Sequence, residues 1–156
     1  MTLFTEDNLK ALEVLTKRYP TKKALLLPVL WMAQEQFGWI SPDTMKYVAR
    51  LLDLPVSHVY GVVSFYTMFN AKPVGKYHLQ VCTNVSCMLR GAEGIADHVC
   101  RRLNLKPGET TFDQKFTLTE VECLGSCGTA PMMQVNDEYH ENLSVEKVDE
   151  LLGKLS

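Results

Sequence analysis

No run of this 156-residue sequence stays apolar long enough to cross a bilayer. The longest, Ala24 to Ala33, is about half of the ~20 residues that a membrane-spanning helix requires. No sign of charge dominates: 16 Lys and Arg stand against 18 Asp and Glu, a net charge of -2. That balance removes the electrostatic case for nucleic acid or an anionic membrane as partner. The start, Met1 to Asp7, is neither basic nor rich in arginine, so no organelle address is expected and the chain reads as cytoplasmic. Lys22 and Lys23 precede the apolar run. They follow a long segment carrying Glu6, Asp7 and Glu13, which marks an ordinary buried helix rather than a signal peptide. Phosphate-binding glycine loops and dinucleotide fingerprints are missing, since Gly91 to Gly94 is too short for either. Ser64 and Ser126 lack any local triad, and the chain holds no internal repeat and no low-complexity tract.

What is present suits a folded domain. Hydrophobic residues make up 46% and charged residues 22%, enough apolar material for a core in one domain or in a small domain with a helical extension. The first seventy residues read as helices. Thr5 caps a helix with Leu9, Leu12, Leu15 and Tyr19 at helical spacing, ended by Pro20. A second helix covers about Ala24 to Phe37, starting late or kinked at Pro28 and closed by Gly38. Ser41 and Pro42 open a third, which runs to about Asp53. A fourth extends from Val56 to about Met68.

Asn70 to Gly75 has the composition of a linker, and the pattern then changes. Tyr77 to Val81 alternates as a strand ending at Cys82. A helix follows from Gly91 to Leu103, with Ile95, Val99 and Leu103 on one face. A second strand is expected over Phe116 to Val121, then a hairpin turning at Asn136 and Asp137. The last helix is capped by Ser144, with Val145, Val148, Leu151, Leu152 and Leu155 inward. One parallel crossover plus a hairpin suggests a thioredoxin-like arrangement.

Five cysteines stand out, and in a reducing compartment paired cysteines point to metal binding or catalysis before structural disulfides. Cys82 and Cys87 form C-x4-C after one predicted strand, and Cys123 and Cys127 form C-x3-C after another. Parallel strands bring such loops to one edge of a sheet, where four thiolates suit a soft metal centre. Zinc knuckles favour C-x2-C pairs, whereas these wider loops suit a two-iron cluster with one pair on each iron. The thioredoxin active site also expects C-x2-C, which neither pair has. Gly125 and Gly128 allow the backbone to approach the sulfurs. A [2Fe–2S] cluster, a zinc site and thiol redox chemistry all stay open on spacing. Cys100 sits apart on a helix and reads as an inert core thiol, and His58, His78, His98 and His140 have no ligand spacing. The aromatic run Phe65 to Phe69 reads as core packing or a partner surface. With no substrate pocket legible, an electron carrier is favoured over a free-standing enzyme.

The segments CTNVSCMLRG at 82–91, CLGSCGTAP at 123–131, FYTMF at 65–69 and FGWIS at 37–41 together resemble one family. It is the thioredoxin-like [2Fe–2S] subunit of NADH:quinone oxidoreductase, the E-type subunit of respiratory complex I, and the likeness covers nearly the whole chain. The resemblance implies an α+β chain: an N-terminal helical bundle, 1–72, followed by a thioredoxin-like iron–sulfur domain, 73–156. It implies that Cys82, Cys87, Cys123 and Cys127 ligate one [2Fe–2S] cluster. It further implies a flavoprotein partner holding FMN, the NADH site and a [4Fe–4S] cluster, in the peripheral arm of a membrane-bound complex. This chain would then take single electrons from FMN and have no substrate site of its own. Related chains serve NAD-linked hydrogenases and formate dehydrogenases, and a four-cysteine zinc module is the reading from another class. Two further expectations concern neighbours of the site. Glu122 should lower the cluster's potential, and the apolar N-terminal helices, with Trp31, Trp39, Phe65 and Phe69, should meet the flavoprotein.

Overall fold

A computed structural model describes residues 3–155. The chain divides into two compact units, one ending at Pro73 and the other beginning at Val74.

The first unit is helical. Helix α1 (Glu6–Thr16) starts where the Thr5 hydroxyl accepts the Asn8 N–H, with Glu6 and Asp7 at its positive end. It stops at Thr16, short of the expected Pro20: a proline ring clashes with the carbonyl four residues before it, which here belongs to Thr16. Tyr19 therefore lies outside the helix and is exposed, as is Leu9. A 3₁₀ turn (Lys22–Leu25), capped by Thr21, leads into α2 (Leu26–Phe37). Pro28 falls in the first turn of α2, where its missing N–H has no partner to lose. Gly38 closes α2 at φ 79°, a left-handed value that favours glycine. Helix α3 (Pro42–Leu52) follows the Ser41 cap, as expected.

Helix α4 (Val56–Phe65) ends three residues before the expected Met68. The Gln34 side chain explains this. Its Nε2 donates to the Met68 carbonyl at 3.0 Å and its Oε1 accepts the Asn70 N–H at 2.6 Å, while the Ile40 N–H takes the Asn70 carbonyl. These bonds pin 66–70 against α2 in place of another helical turn. The core gathers around Val29, Leu30, Ala33, Val48 and Val59, all fully or almost fully buried. The aromatic run splits accordingly: Phe69 is buried against Trp31, whereas Phe65, Tyr66 and Met68 face solvent, so core packing describes Phe69 alone.

The second unit is built on β1 (Tyr77–Cys82), α5 (Val85–Leu89), α6 (Ala92–Leu103), β2 (Phe116–Val121), β3 (Met133–Val135), β4 (Glu138–His140) and α7 (Val145–Leu155). The sheet order is β2-β1-β3-β4, with β1 and β2 parallel and the other pairings antiparallel. Helix α6 makes the crossover between β1 and β2. Leu79, Val81, Leu118 and Met133 from the sheet and Val99 and Val148 from α6 and α7 are fully buried in one core. Val145, expected inward on α7, is exposed. Gly75 meets the chain ahead of β2 so closely that an added Cβ would lie 2.9 Å from the Lys115 carbonyl carbon. Among the described residues, no helix is long and apolar enough to cross a membrane.

Candidate metal centre

The parallel pairing of β1 and β2 positions the site. Its register matches Cys82 with Val121, so both strands end at one edge and both cysteine loops leave from there. Thr83 ties the two exits together, its N–H and hydroxyl both donating to the Val121 carbonyl.

The first loop is tied to its neighbours and capped from within. Cys82 ends β1, buried, with its N–H on the Met132 carbonyl. The Asn84 side chain accepts the Val85 N–H at 2.8 Å and starts α5, the short helix that carries Cys87 into the interior. Five residues are too few to show a helical period, so α5 was not legible in the sequence. Burial pushes the Cys87 thiol up, the hydrogen bond with Cys82 adds to this, and the Met132 N–H opposes it. Cys127 also acts on Cys87 through its charge. Cys82 and Cys87 therefore lie side by side.

The second loop is open. Cys123 and Cys127 are exposed, and Gly125, at φ 78°, turns its N–H onto the Cys123 sulfur at 3.3 Å. Cys127 begins a 3₁₀ turn that ends at Thr129. Strand β4 and the residues just after it reach back to this loop. The Tyr139 hydroxyl donates to the Leu124 carbonyl at 2.7 Å, and the Glu141 carboxylate accepts from the Ser126 and Thr129 hydroxyls. Those two hydroxyls hold the Glu141 carboxyl below its usual range. Residues 12 to 15 positions apart carry no local signal of meeting, so the sequence did not reveal these contacts.

All five cysteines are free. Among the described residues, no group of three or more His, Cys, Asp or Glu side chains is assembled as for a single metal ion. The donor chemistry nevertheless fits an iron–sulfur cluster. Four thiols sit on two loops at one sheet edge, and backbone N–H groups of Met132 and Gly125 are turned toward sulfur. Such donors favour thiolate over thiol.

The other candidates separate from the site. Cys100 is half-buried on α6, its thiol pushed up by burial and then by Asp97 and Glu120. The His78 ring meets the Thr119 hydroxyl at 2.9 Å, and burial lowers its pKa. His98 bonds Asp149 across α6 and α7. A cleft of about 340 Å³ on this unit is lined by Thr83, Glu93, Ala96, Asp97 and Glu120. Glu122 and Arg90 are exposed.

Comparison with known proteins bears on the chain as a whole. The E-type NADH-quinone oxidoreductase subunit of Rickettsia prowazekii is 46% identical over 152 residues, covering 96% of this chain and 86% of that one. An E-type NADH-quinone oxidoreductase subunit of Rhizobium meliloti is 43% identical over 141 residues, covering 90% and 84%. The air-oxidised crystal structure of an NAD+-reducing [NiFe]-hydrogenase shares the fold, with a TM-score of 0.74 at 22% identity. That match covers 84% of this chain but only 22% of the hydrogenase chain. The family model for thioredoxin-like [2Fe-2S] ferredoxins matches residues 12–156, and it is to this family that the chain belongs.

Proposed function

We propose that this chain is the electron-carrying E-type subunit of an NADH-quinone oxidoreductase, with Cys82, Cys87, Cys123 and Cys127 as ligands of one [2Fe–2S] cluster. The observation that carries this reading is the β1–β2 register, which delivers both cysteine loops to one sheet edge. The likeness to the Rickettsia prowazekii subunit over nearly the whole chain supports the choice of host complex. When bound, such a cluster supplies a site for one electron, with a potential set by charge, hydrogen bonds to sulfur and exposure. The protein's own residues govern those factors. Buried Cys82 and Cys87 keep water from one side, while exposed Cys123 and Cys127 leave the other side open toward a partner. N–H groups of Met132 and Gly125 offset the thiolate charge.

In this reading the chain belongs to an oxidoreductase but has no substrate site of its own. FMN, the NADH site and a [4Fe–4S] cluster belong to a partner flavoprotein, and this chain receives single electrons from that FMN. The acidic lining of the cleft, with Glu93, Asp97 and Glu120, supports leaving phosphate-bearing cofactors to the partner, since like charges repel. Residues 1–72 serve as the docking region and 73–156 as the iron–sulfur domain, on the cytoplasmic side in the peripheral arm of a membrane-bound complex. The test is the visible spectrum of anaerobically purified protein, then low-temperature EPR after dithionite reduction. A red-brown sample with one rhombic S = 1/2 signal is the expected result. A colourless protein with stoichiometric zinc, or one that fails iron–sulfur reconstitution, overturns the reading.

A further inference from the structure

The two cysteine loops are held by different means. The first is braced from within, by the Asn84 cap and by the Arg90 and Gly91 N–H groups on the carbonyls of Cys87 and Met88. The second contains Gly125 and Gly128, exposes both of its cysteines, has bonds of its own between Ser126 and Thr129, and is braced as well from residues 139–143. Tyr139 takes the Leu124 carbonyl and Glu141 takes the Ser126 and Thr129 hydroxyls. The Asn142 N–H donates to the Thr129 carbonyl at 2.7 Å, and the Leu143 N–H to the Pro131 carbonyl at 2.9 Å. Leu124 directly follows Cys123, and Ser126 directly precedes Cys127.

We infer that Tyr139 and Glu141 are positioning residues: they latch the second cysteine loop and fix the spacing of Cys123 and Cys127. This rests on the ligand assignment proposed above. Three observations support the latch. The side-chain contacts fall beside each of the two cysteines, one to Leu124 and one to Ser126. Tyr139 is 50% exposed, so its ring contributes little to a core and its specific contribution is the hydroxyl. A carboxylate only accepts hydrogen bonds, so Glu141 accepts from the Ser126 hydroxyl and competes with the Ser126 carbonyl for the Thr129 proton, and such charge-assisted bonds are stronger than neutral ones. The β3–β4 pairing itself uses backbone groups and needs neither side chain.

The experiment uses the full-length chain carrying Tyr139→Phe, Glu141→Ala, Glu141→Gln, or Tyr139→Phe with Glu141→Ala. Amide hydrogen exchange is followed on iron-free protein. The rate of iron transfer to a ferrous chelator and the EPR g values are followed on loaded protein. Tyr139→Phe and Glu141→Ala should each speed exchange at residues 124–129 and iron loss several-fold. The double variant should reach at least about tenfold, since it loses the Tyr139 bond on top of hydrogen bonds to a charged group. Exchange at 82–90 should stay unchanged, the g values should shift, and Glu141→Gln, which keeps an accepting oxygen, should rescue exchange at 124–129. The latch is overturned if the double variant leaves exchange at 124–129 and iron loss unchanged. It is also overturned if exchange rises equally across the sheet, or if Glu141→Gln loosens the loop as much as Glu141→Ala. Wild-type protein that takes up neither iron nor sulfide would sink the ligand assignment instead, and the exchange comparison would still judge the latch.

Discussion

Cys82 and Cys87 are 3% and 2% exposed, whereas Cys123 and Cys127 lie open to solvent. The two pairs are therefore unequal in their sensitivity to nearby charge. Glu122 adjoins Cys123 on the exposed side, and on the proposed ligation a carboxylate there disfavours the arrival of an electron. Removing that charge with Glu122→Gln should raise the reduction potential by tens of millivolts in a redox titration followed by EPR. The shift should shrink as salt is raised, because an exposed charge is screened. A potential that does not move would mean the side chain is turned away or fully screened. At this scale, what lies beside a cysteine in sequence was readable: Glu122, Gly125 and the ligand candidates themselves. What lies beside it only in space was hidden. Nothing local to Leu124 or Ser126 announces Tyr139 or Glu141, because strand pairing brings them together.

Between elements, α6 and α7 share a polar tie. The hydrogen bond from His98 holds the Asp149 carboxyl below its usual range, helped by the charges of His98 and Arg102 and opposed by desolvation. A carboxyl with a depressed folded pKa adds stability above its unfolded pKa, and that stability is lost as pH falls through the folded value. Thermal unfolding should therefore show wild type more stable than Asp149→Asn near neutrality. The gap should close as pH drops below the ordinary carboxylate range, and a gap independent of pH would remove the ion pair as its cause. Element existence was largely legible from caps and periods. Thr5, Ser41 and Gly38 mark boundaries through local bonds, and Tyr77 to Val81 alternates along β1. The differences trace to tertiary effects or short length. Gln34 ends α4 early by bonding Met68 and Asn70, 34 and 36 residues along the chain, α5 is too brief for periodicity, and Val145 sits on the period of α7 yet points outward.

In the whole molecule, each unit has its own buried core, so the two can be perturbed separately. The helical unit leaves large side chains uncovered: Phe65 is 76% and Tyr60 62% exposed, with Val56, Tyr66, Met68 and Trp31 also open. Phe65 and Tyr66 are in edge-to-face contact with each other, so aromatic surface is concentrated there. Aromatic side chains of this size are common anchors of protein interfaces. On the proposed function, they meet the flavoprotein. Replacing Phe65 and Tyr60 together by aspartate removes no buried contact from the helical core, whose nearest members on α4 are Val59 and Val63. The double variant should therefore fold, keep the visible spectrum of the iron–sulfur unit, and fail to co-purify with the flavoprotein. Loss of a single buried aromatic anchor typically weakens binding by about 2 kcal/mol or more, and an introduced unpaired charge adds desolvation cost. Undiminished co-purification would confine the helical unit to a structural role and move docking to the exposed cysteine loop. Loss of colour together with loss of binding would instead show that the two units depend on each other, against the separate cores from which the prediction starts.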